Sequence, residues 1–339
     1  MNQTKKKNPL KRLLSMRGMG QVVTVTIGLI VLLVAFALIN PNFWSPTNRT
    51  NLLRQIAPIL IIGIAQSYVL ITGNIDLSIG SVVGMSTMVA ATLMSKGIMS
   101  PIPALLVTLL CCLLIGVLNG LLVAKFKLPP FIATLGTMTV ARGIAQLVNG
   151  NYNTDSIMKF YPEAAQTFKN VFYYGKTLGL YNGIWIAIIL WIGFNFLLSK
   201  TRTGRYIYAT GSNIDAARLS GVNVVSTTVI AYVVSAFCSF VVGIITCATV
   251  GQGTMDAGNS YEMYAVAASV IGGVSTLGGQ GILLGTVVVA AIWGTLQNGL
   301  QFAGAPVAIR NIIIGVIVVL SVLMDVVIRT GRRNTKGSD

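Results

Sequence analysis

Gly73-Asn74-Ile75-Asp76-Leu77-Ser78-Ile79-Gly80-Ser81 sits between two apolar segments, 53–72 and 79–95, whose composition suits a bilayer. It sets a carboxylate, an amide and two hydroxyls where lipid would otherwise be. A polar group at membrane depth is costly unless it faces protein or a water-filled path, so it is a functional candidate by default. The flanking glycines let the backbone break, or let a neighbouring helix approach closely. Two roles for Asp76 are compatible. As an N-cap it accepts from the amide of Ser78 or Ile79 where a helix restarts. A broken helix beside a translocation path also needs such caps.

The rest of the composition agrees with a membrane protein. Of 339 residues, 54% are apolar and 9% charged, against roughly 25% charged in a soluble domain. There is no histidine, and there are only eight carboxylates. That inventory excludes most acid–base chemistry and metal binding, so no catalytic or metal site is expected. The four cysteines, Cys111, Cys112, Cys238 and Cys247, all lie in apolar segments and read as small buried hydrophobes. A net charge of +16 would suggest nucleic acid in a soluble protein. Here the basic residues fall between apolar runs, so the positive-inside rule accounts for them and no nucleic-acid partner is expected.

Taken in order, the chain predicts a basic cytoplasmic segment, 1–20, then a single transmembrane body, 21–328, and a cytoplasmic tail, 329–339. The run 21–39 is longer than a signal-peptide core and no A-x-A-like site follows it, so it reads as a first membrane helix. Phe43 and Trp44 suit an interfacial turn. Further helices are predicted over 53–72, 79–96, 101–124, 130–148, 183–199, 225–249, 263–275, 281–301 and 309–328, with 149–182 as the largest outer loop. The eighth, 263–275, is short, and a re-entrant segment is its alternative. The fold class is thus an all-α polytopic membrane protein of about ten helices with both termini cytoplasmic. The charge distribution supports this orientation: sixteen basic residues fall on the inner segments and seven on the outer ones.

A faint internal repeat accompanies the helices. Gly116-Val117-Leu118-Asn119-Gly120-Leu121 resembles Gly294-Thr295-Leu296-Gln297-Asn298-Gly299-Leu300, and Gly73-Asn74-Ile75-Asp76 resembles Gly253-Thr254-Met255-Asp256. The copies lie five helices apart, an odd number, so they form oppositely oriented five-helix halves, an arrangement that transporters use to build a path.

Residues 200–224 are the most polar internal stretch. Ser212 or Asn213 can cap a short helix over 214–220. Asp215 in its first turn and Arg218 near its last match the macrodipole, and Gly221 can take the left-handed position that ends it. Such a capped, exposed helix is suited to docking a cytoplasmic partner, with an interfacial helix resting on lipid as the alternative.

The pattern Asp215-Ala216-Ala217…Gly221 after Thr203-Gly204-Arg205 resembles the coupling motif of ABC-importer permeases. Gly73–Gly80 and Pro130-Phe131-Ile132-Ala133-Thr134-Leu135-Gly136-Thr137 extend the resemblance to the ribose/galactose/autoinducer-2 type, over about residues 20–330. Asp215 stands where a Glu is often found. The resemblance implies a permease subunit in a bacterial cytoplasmic membrane that imports a monosaccharide or similar small polar solute. It implies a second permease copy, identical or related, and an extracytoplasmic solute-binding protein. A cytoplasmic ATPase would use ATP and Mg and dock on Asp215, Ala216, Ala217, Arg218 and Gly221. This chain itself binds no cofactor and carries no GxxxxGK[ST] phosphate loop. Asn74, Asp76, Ser78, Asn119, Phe131, Thr134, Thr137 and Asn298 are the candidates for lining the path or bracing its helices. The principal rival is a proton- or sodium-coupled carrier that uses Asp76, with Asp325 as a second intramembrane carboxylate.

Overall fold

The computed structural model describes residues 19–306 and a few positions between 308 and 323. Most of the helix predicted over 309–328, the tail, and all but the end of the basic N-terminal segment lie outside the described residues. The described helices are α1 (Met19–Ile39), α2 (Pro46–Ile71), α3 (Ile79–Ser95), α4 (Pro101–Ala124), α5 (Pro130–Leu147), α6 (Pro162–Lys169), α7 (Asn182–Lys200), α8 (Arg202–Ser212), α9 (Ile214–Leu219), α10 (Val224–Val250), α11 (Tyr261–Ile271) and α12 (Leu283–Phe302). A π-helical turn, Asn170–Tyr174, and a two-stranded hairpin, β1 (Lys176–Thr177) with β2 (Leu180–Tyr181), complete the loop before α7. Six of these helices (α1, α2, α4, α7, α10 and α12) are both long and apolar enough to span a bilayer.

Local chemistry sets the helix ends. α2 starts at Pro46, seven residues before the expected start at 53, because Ser45 accepts from the Asn48 amide and Pro46 supplies the first helical position. Hydropathy misses this turn because Thr47 to Asn51 are polar. Asn223 caps α10 through the Ser226 amide, and Gly251, at φ +77°, ends it.

Burial sorts the helices. α3 is buried on nearly every face, as is most of α2 beyond Ala57. α10 packs on α4, α2 and α3, while α2 also receives α11 and α12. α4 turns Ile102, Leu106, Leu110, Leu114 and Leu118 outward, one every four residues, which gives it an apolar face for lipid. Phe43 is not interfacial. It is 1% exposed, held among Phe36, Trp44 and Phe302, and only Trp44 remains half open.

Two non-helical segments enter this bundle. After α2 ends, residues 74–78 run back along α10, where Tyr232 Oη donates to the Ile75 carbonyl (3.0 Å). The second, 251–260, follows α3. Gly253 lies against Met88 and Ala91, and Gly258 against Gly80, where any Cβ would collide with the Gly258 carbonyl and the Glu262 carboxylate. α11 then continues to Ile271, whose carbonyl accepts from Gln21 on α1.

The two segments introduce equivalent contacts. Thr87 on α3 donates to Gly243 O on α10 (3.0 Å) while also reaching the Val83 carbonyl, one turn back. Ser269 on α11 donates to Gly63 O on α2 (2.9 Å) and likewise reaches the Ala265 carbonyl. Gly116 on α4 seats on Ala236 of α10, as Gly294 on α12 seats on Ile56 of α2.

Candidate functional site

Asp76 is 2% exposed and hydrogen-bonded on both carboxylate oxygens. Oδ1 accepts from the Ser78 amide (2.9 Å) and the Ser78 hydroxyl (2.6 Å), and Oδ2 accepts from the Ser235 hydroxyl on α10 (2.7 Å). The hydrogen bond from the Ser78 amide is one of the two the sequence allows, but Asp76 is not itself the N-cap. That bond forms a local turn ahead of α3, whose N-cap position is held by Ser78 without a side-chain cap bond. Ser235 lies eleven residues into α10, about 16 Å along its axis at 1.5 Å per residue. The carboxylate is therefore well inside the bundle.

The network continues from there. Asn119 Nδ2 on α4 donates to Ser78 Oγ (3.0 Å), and Thr137 Oγ1 on α5 donates to Asn119 Oδ1 (2.6 Å). Thr137 also reaches the Thr134 carbonyl (3.2 Å), while the Thr134 hydroxyl turns back to Pro130 O (2.8 Å). One chain of donors and acceptors thus runs from α10 through the break to α4 and α5. Gly120, one residue from Asn119, permits it: its Cα packs on Val229 of α10, where a side chain would push α4 away.

Three other sequence candidates fall elsewhere. Asn74 is half-buried and folds onto the Thr72 hydroxyl (2.8 Å). Phe131 is 56% exposed on the outer face of α5. Asn298 is buried at the far end of the bundle, in a reciprocal amide pair with Asn48 (2.8 and 2.9 Å).

Sequence reasoning missed Tyr232, Ser235 and Arg142. The first two are hydroxyls inside an apolar run, a signal available but unspecific. Arg142 on α5 donates through Nη1 to the Met255 and Ala257 carbonyls (both 3.0 Å), tying down the 251–260 segment. Nothing local to Arg142 announces that partner.

Thr137→Val tests whether the network binds the helices together. It leaves the buried Asn119 carbonyl without its donor, and is expected to cost about 1 kcal/mol, given the small values typical of interhelical bonds in membranes. Thr137→Ser restores the donor. Thermal unfolding in detergent should separate the two variants.

At the opposite end, α9 is capped as expected: the Ala216 amide donates to Asn213 Oδ1 (2.9 Å), and Gly221 takes φ +82°. Asp215 and Arg218 lie 3.6 Å apart on the exposed surface, a pairing worth little by itself. Ala216 is exposed, but Ala217 is buried against Val222 and Val224. Ile214 and Leu219 are 46% and 89% exposed. Leu219 thus presents an apolar side chain that the sequence reading passed over.

The stretch ahead of α9, expected only as polar chain, forms a second helix, α8, capped by Thr201. α8 presses Gly211 onto the Ile71 carbonyl at the end of α2 and onto the backbone at Gly279. Gly279 itself donates to Ile71 O (2.8 Å). A cavity of about 440 Å3 lies between α9 and the α4–α5 connection, lined by Ile214, Asp215 and Arg218 on one side and by Asn74, Lys127 and Pro130 on the other.

These features agree with comparisons to known proteins. Residues 48–322 match the family model described as branched-chain amino acid transport system / permease component. The ribose import permease protein RbsC of Bacillus subtilis (strain 168) is 35% identical over 300 residues, covering 88% of this chain and 91% of that one. RbsC of Haemophilus influenzae is 37% identical over 302 residues, with 88% and 91% covered. The galactose/methyl galactoside import permease protein MglC of Escherichia coli (strain K12) is 34% identical over 313 residues, with 87% and 92% covered. A membrane bundle crossed by a buried polar network, with a short, capped, exposed helix at one end, thus coincides with a family match over most of the sequence: the chain is a multi-pass membrane protein that belongs to the family of branched-chain amino acid transport system permease components.

Proposed function

We propose that this chain is the permease subunit of an ATP-binding-cassette importer in a bacterial cytoplasmic membrane, and that it carries a monosaccharide or similar small polar solute. The sugar importers among its relatives support that solute class over a branched-chain amino acid. The observation that carries the coupling is the cavity shared by docking helix α9 and break residue Asn74. A partner seated on α9 bears directly on the mouth of the break, and through Gly211 on the end of α2.

The complete fold has ten helices in two inverted halves. The paired bonds of Thr87 to Gly243 and Ser269 to Gly63 support that reading, and both termini are cytoplasmic. A second permease copy completes the path, and an extracytoplasmic solute-binding protein delivers the solute. ATP and Mg are used by a separate cytoplasmic ATPase that docks on Asp215, Ala216, Arg218 and Leu219. Ala217 and Gly221 shape that helix rather than touch the partner. Closure of the ATPase favours one orientation of the bundle over the other only through its different affinity for the two states. Asp76, Ser78, Asn119, Thr134 and Thr137 hold α10, α4 and α5 in register around the path.

Purification of the tagged protein in gentle detergent tests this reading. A stoichiometric ATPase is expected to accompany it. Leu219→Glu places a charge on the docking face without touching the buried Ala217 side, and is expected to reduce the co-purified ATPase at least tenfold while the permease stays monodisperse. An unchanged ATPase yield would remove α9 as the docking site.

A further inference from the structure

The segment 251–260 reaches the middle of the bundle, and two glycines on α3 seat it there. A Cβ at Gly84 would meet the Ala257 carbonyl at 2.7 Å and Arg142 Nη1 at 2.8 Å, and one at Gly80 would collide with Gly258 and Glu262. Gly84 and Gly80 lie eleven and fifteen residues before Ser95, where α3 ends beside exposed Lys96. At 1.5 Å per residue they are about 16 and 22 Å from that end of the helix. This is near the middle of a hydrocarbon layer of about 30 Å. Measured from the opposite side, Arg142 stands twelve residues, about 18 Å, along α5 from Pro130.

At this depth the segment leaves polar groups open to its surroundings. Asp256, Asn259 and Ser260 are exposed, and so is Thr139, one turn before Arg142 on α5, while Arg142 and Glu262 are partly buried. Asp256 Oδ1 accepts from Asn259 Nδ2 (3.3 Å), and Oδ2 is bonded to none of the described residues. Arg142 fixes the segment through the Met255 and Ala257 carbonyls. The contrast with α4 is direct, since that helix turns only large apolar side chains outward at comparable depth. Lipid cannot solvate an open carboxylate and its neighbouring amide, so a face of this kind belongs against a water-filled path. Asp76, by comparison, is buried with both oxygens taken.

We propose that the solute path runs along this face, between α5 and the segment 251–260, and that Asp256 and Asn259 are its contacts for a polyhydroxylated solute. Asp256 Oδ2 accepts from a hydroxyl, the Asn259 amide donates and accepts, and the Thr139 and Ser260 hydroxyls offer both functions. Open, hydrated contacts hold a solute weakly, as a path that must fill and empty requires. The inference rests on the importer reading, in which a second permease copy closes the path.

Thiol accessibility tests it without a sugar. The permease–ATPase complex is placed in nanodiscs, in a Cys111→Ala background, since the other three cysteines are buried. Thr139→Cys and Asn259→Cys are the reporters for a charged, water-soluble methanethiosulfonate, and Leu110→Cys, on the outward face of α4, is the lipid control. Either reporter suffices if the other fails to assemble. The reporters are expected to react at least tenfold faster than the control, and ATP with vanadate to change their rates at least threefold as the path opens and closes. Reporters no faster than the control mean that lipid or protein seals the face; that overturns the path and leaves the importer, judged by its co-purified ATPase, intact. Fast rates indifferent to ATP and vanadate describe a static crevice and overturn it too. In proteoliposomes with the binding protein, Asp256→Ala is expected to lower uptake at least fivefold for whichever of ribose, galactose, allose and fructose the parent carries, with the ATPase yield unaltered. Unchanged uptake overturns Asp256 as a solute contact. A parent that carries none of the four counts against the monosaccharide reading alone, because the labelling rates report on the path itself.

Discussion

Asp76→Ala is expected to abolish coupled uptake and to lower thermal stability, while Asp76→Asn keeps most of both. The alanine removes two oxygens that accept three bonds from Ser78 and Ser235. The Ser235 hydroxyl can turn to a carbonyl on its own helix, but the Ser78 amide has no such freedom. An orphaned buried donor costs about 1–3 kcal/mol, and loss of the joint between α10 and the break adds to it. A total of about 2–4 kcal/mol is a large fraction of the roughly 5–15 kcal/mol that holds a typical fold.

In the asparagine, the amide oxygen keeps both bonds from Ser78. Its NH2 faces Ser235 Oγ, which reverses its hydroxyl and accepts. The expected cost is below about 1 kcal/mol, within the range of a rearranged hydrogen bond, and uptake should remain within about threefold of the parent. Uptake in proteoliposomes with ATP inside, alongside unfolding in detergent, measures both variants. A proton- or sodium-coupled carrier would lose transport with Asn as completely as with Ala. That outcome would return Asp76 to an ion-coupling role.

Gly211→Val is the second large effect. A Cβ at Gly211 would enter the Ile71 carbonyl on one side and meet the Gly279 amide nitrogen at 2.7 Å on the other. Both are backbone, and Gly279 also donates to that same Ile71 oxygen, so neither can yield as a side-chain tip would. Overpacking normally costs about 1–3 kcal/mol; here two backbone segments must separate, so the upper end or beyond is expected. α8 would lift from the end of α2 and take α9 with it. The predicted result is loss of ATP-driven uptake together with a severe fall in monodisperse protein. Gly136→Val is the control, because a Cβ there meets nothing within 4 Å; it should leave the fold of the single chain intact. Size-exclusion profiles of the two variants decide the matter.

The helical order was legible because hydropathy and capping are local. The break at 73–78, Asn213 as the α9 cap and the left-handed Gly221 all follow from residues within a few positions of each other. The start of α2 was misplaced because an amphiphilic first turn, held by Ser45 and Pro46, carries no apolar signal. α8 escaped for the same reason: its mixed composition hides a helix that the backbone of α2 supports.

The candidate site divides along the same line. The types of residue at stake, isolated polar groups in apolar helices, could be listed from the sequence. Which of them meet could not. Asp76, Ser78, Asn119 and Thr137 form one network, whereas Asn298 belongs to the opposite end and Phe131 to the outer surface. Only the fold joins Asp76 to Ser235 across a separation of 159 residues, and Arg142 to Met255 across 113. The sequence by itself determined that this chain lives in a membrane, where most of its helices stop (the one expected over 263–275 ends at Ile271), and which polar groups must be accounted for, because solvation and capping act on neighbours in the chain. The tertiary structure alone decided which helices touch, since every span offers the same apolar surface to lipid and to its fellows, and only close packing at glycines and a few exact hydrogen bonds tells one neighbour from another.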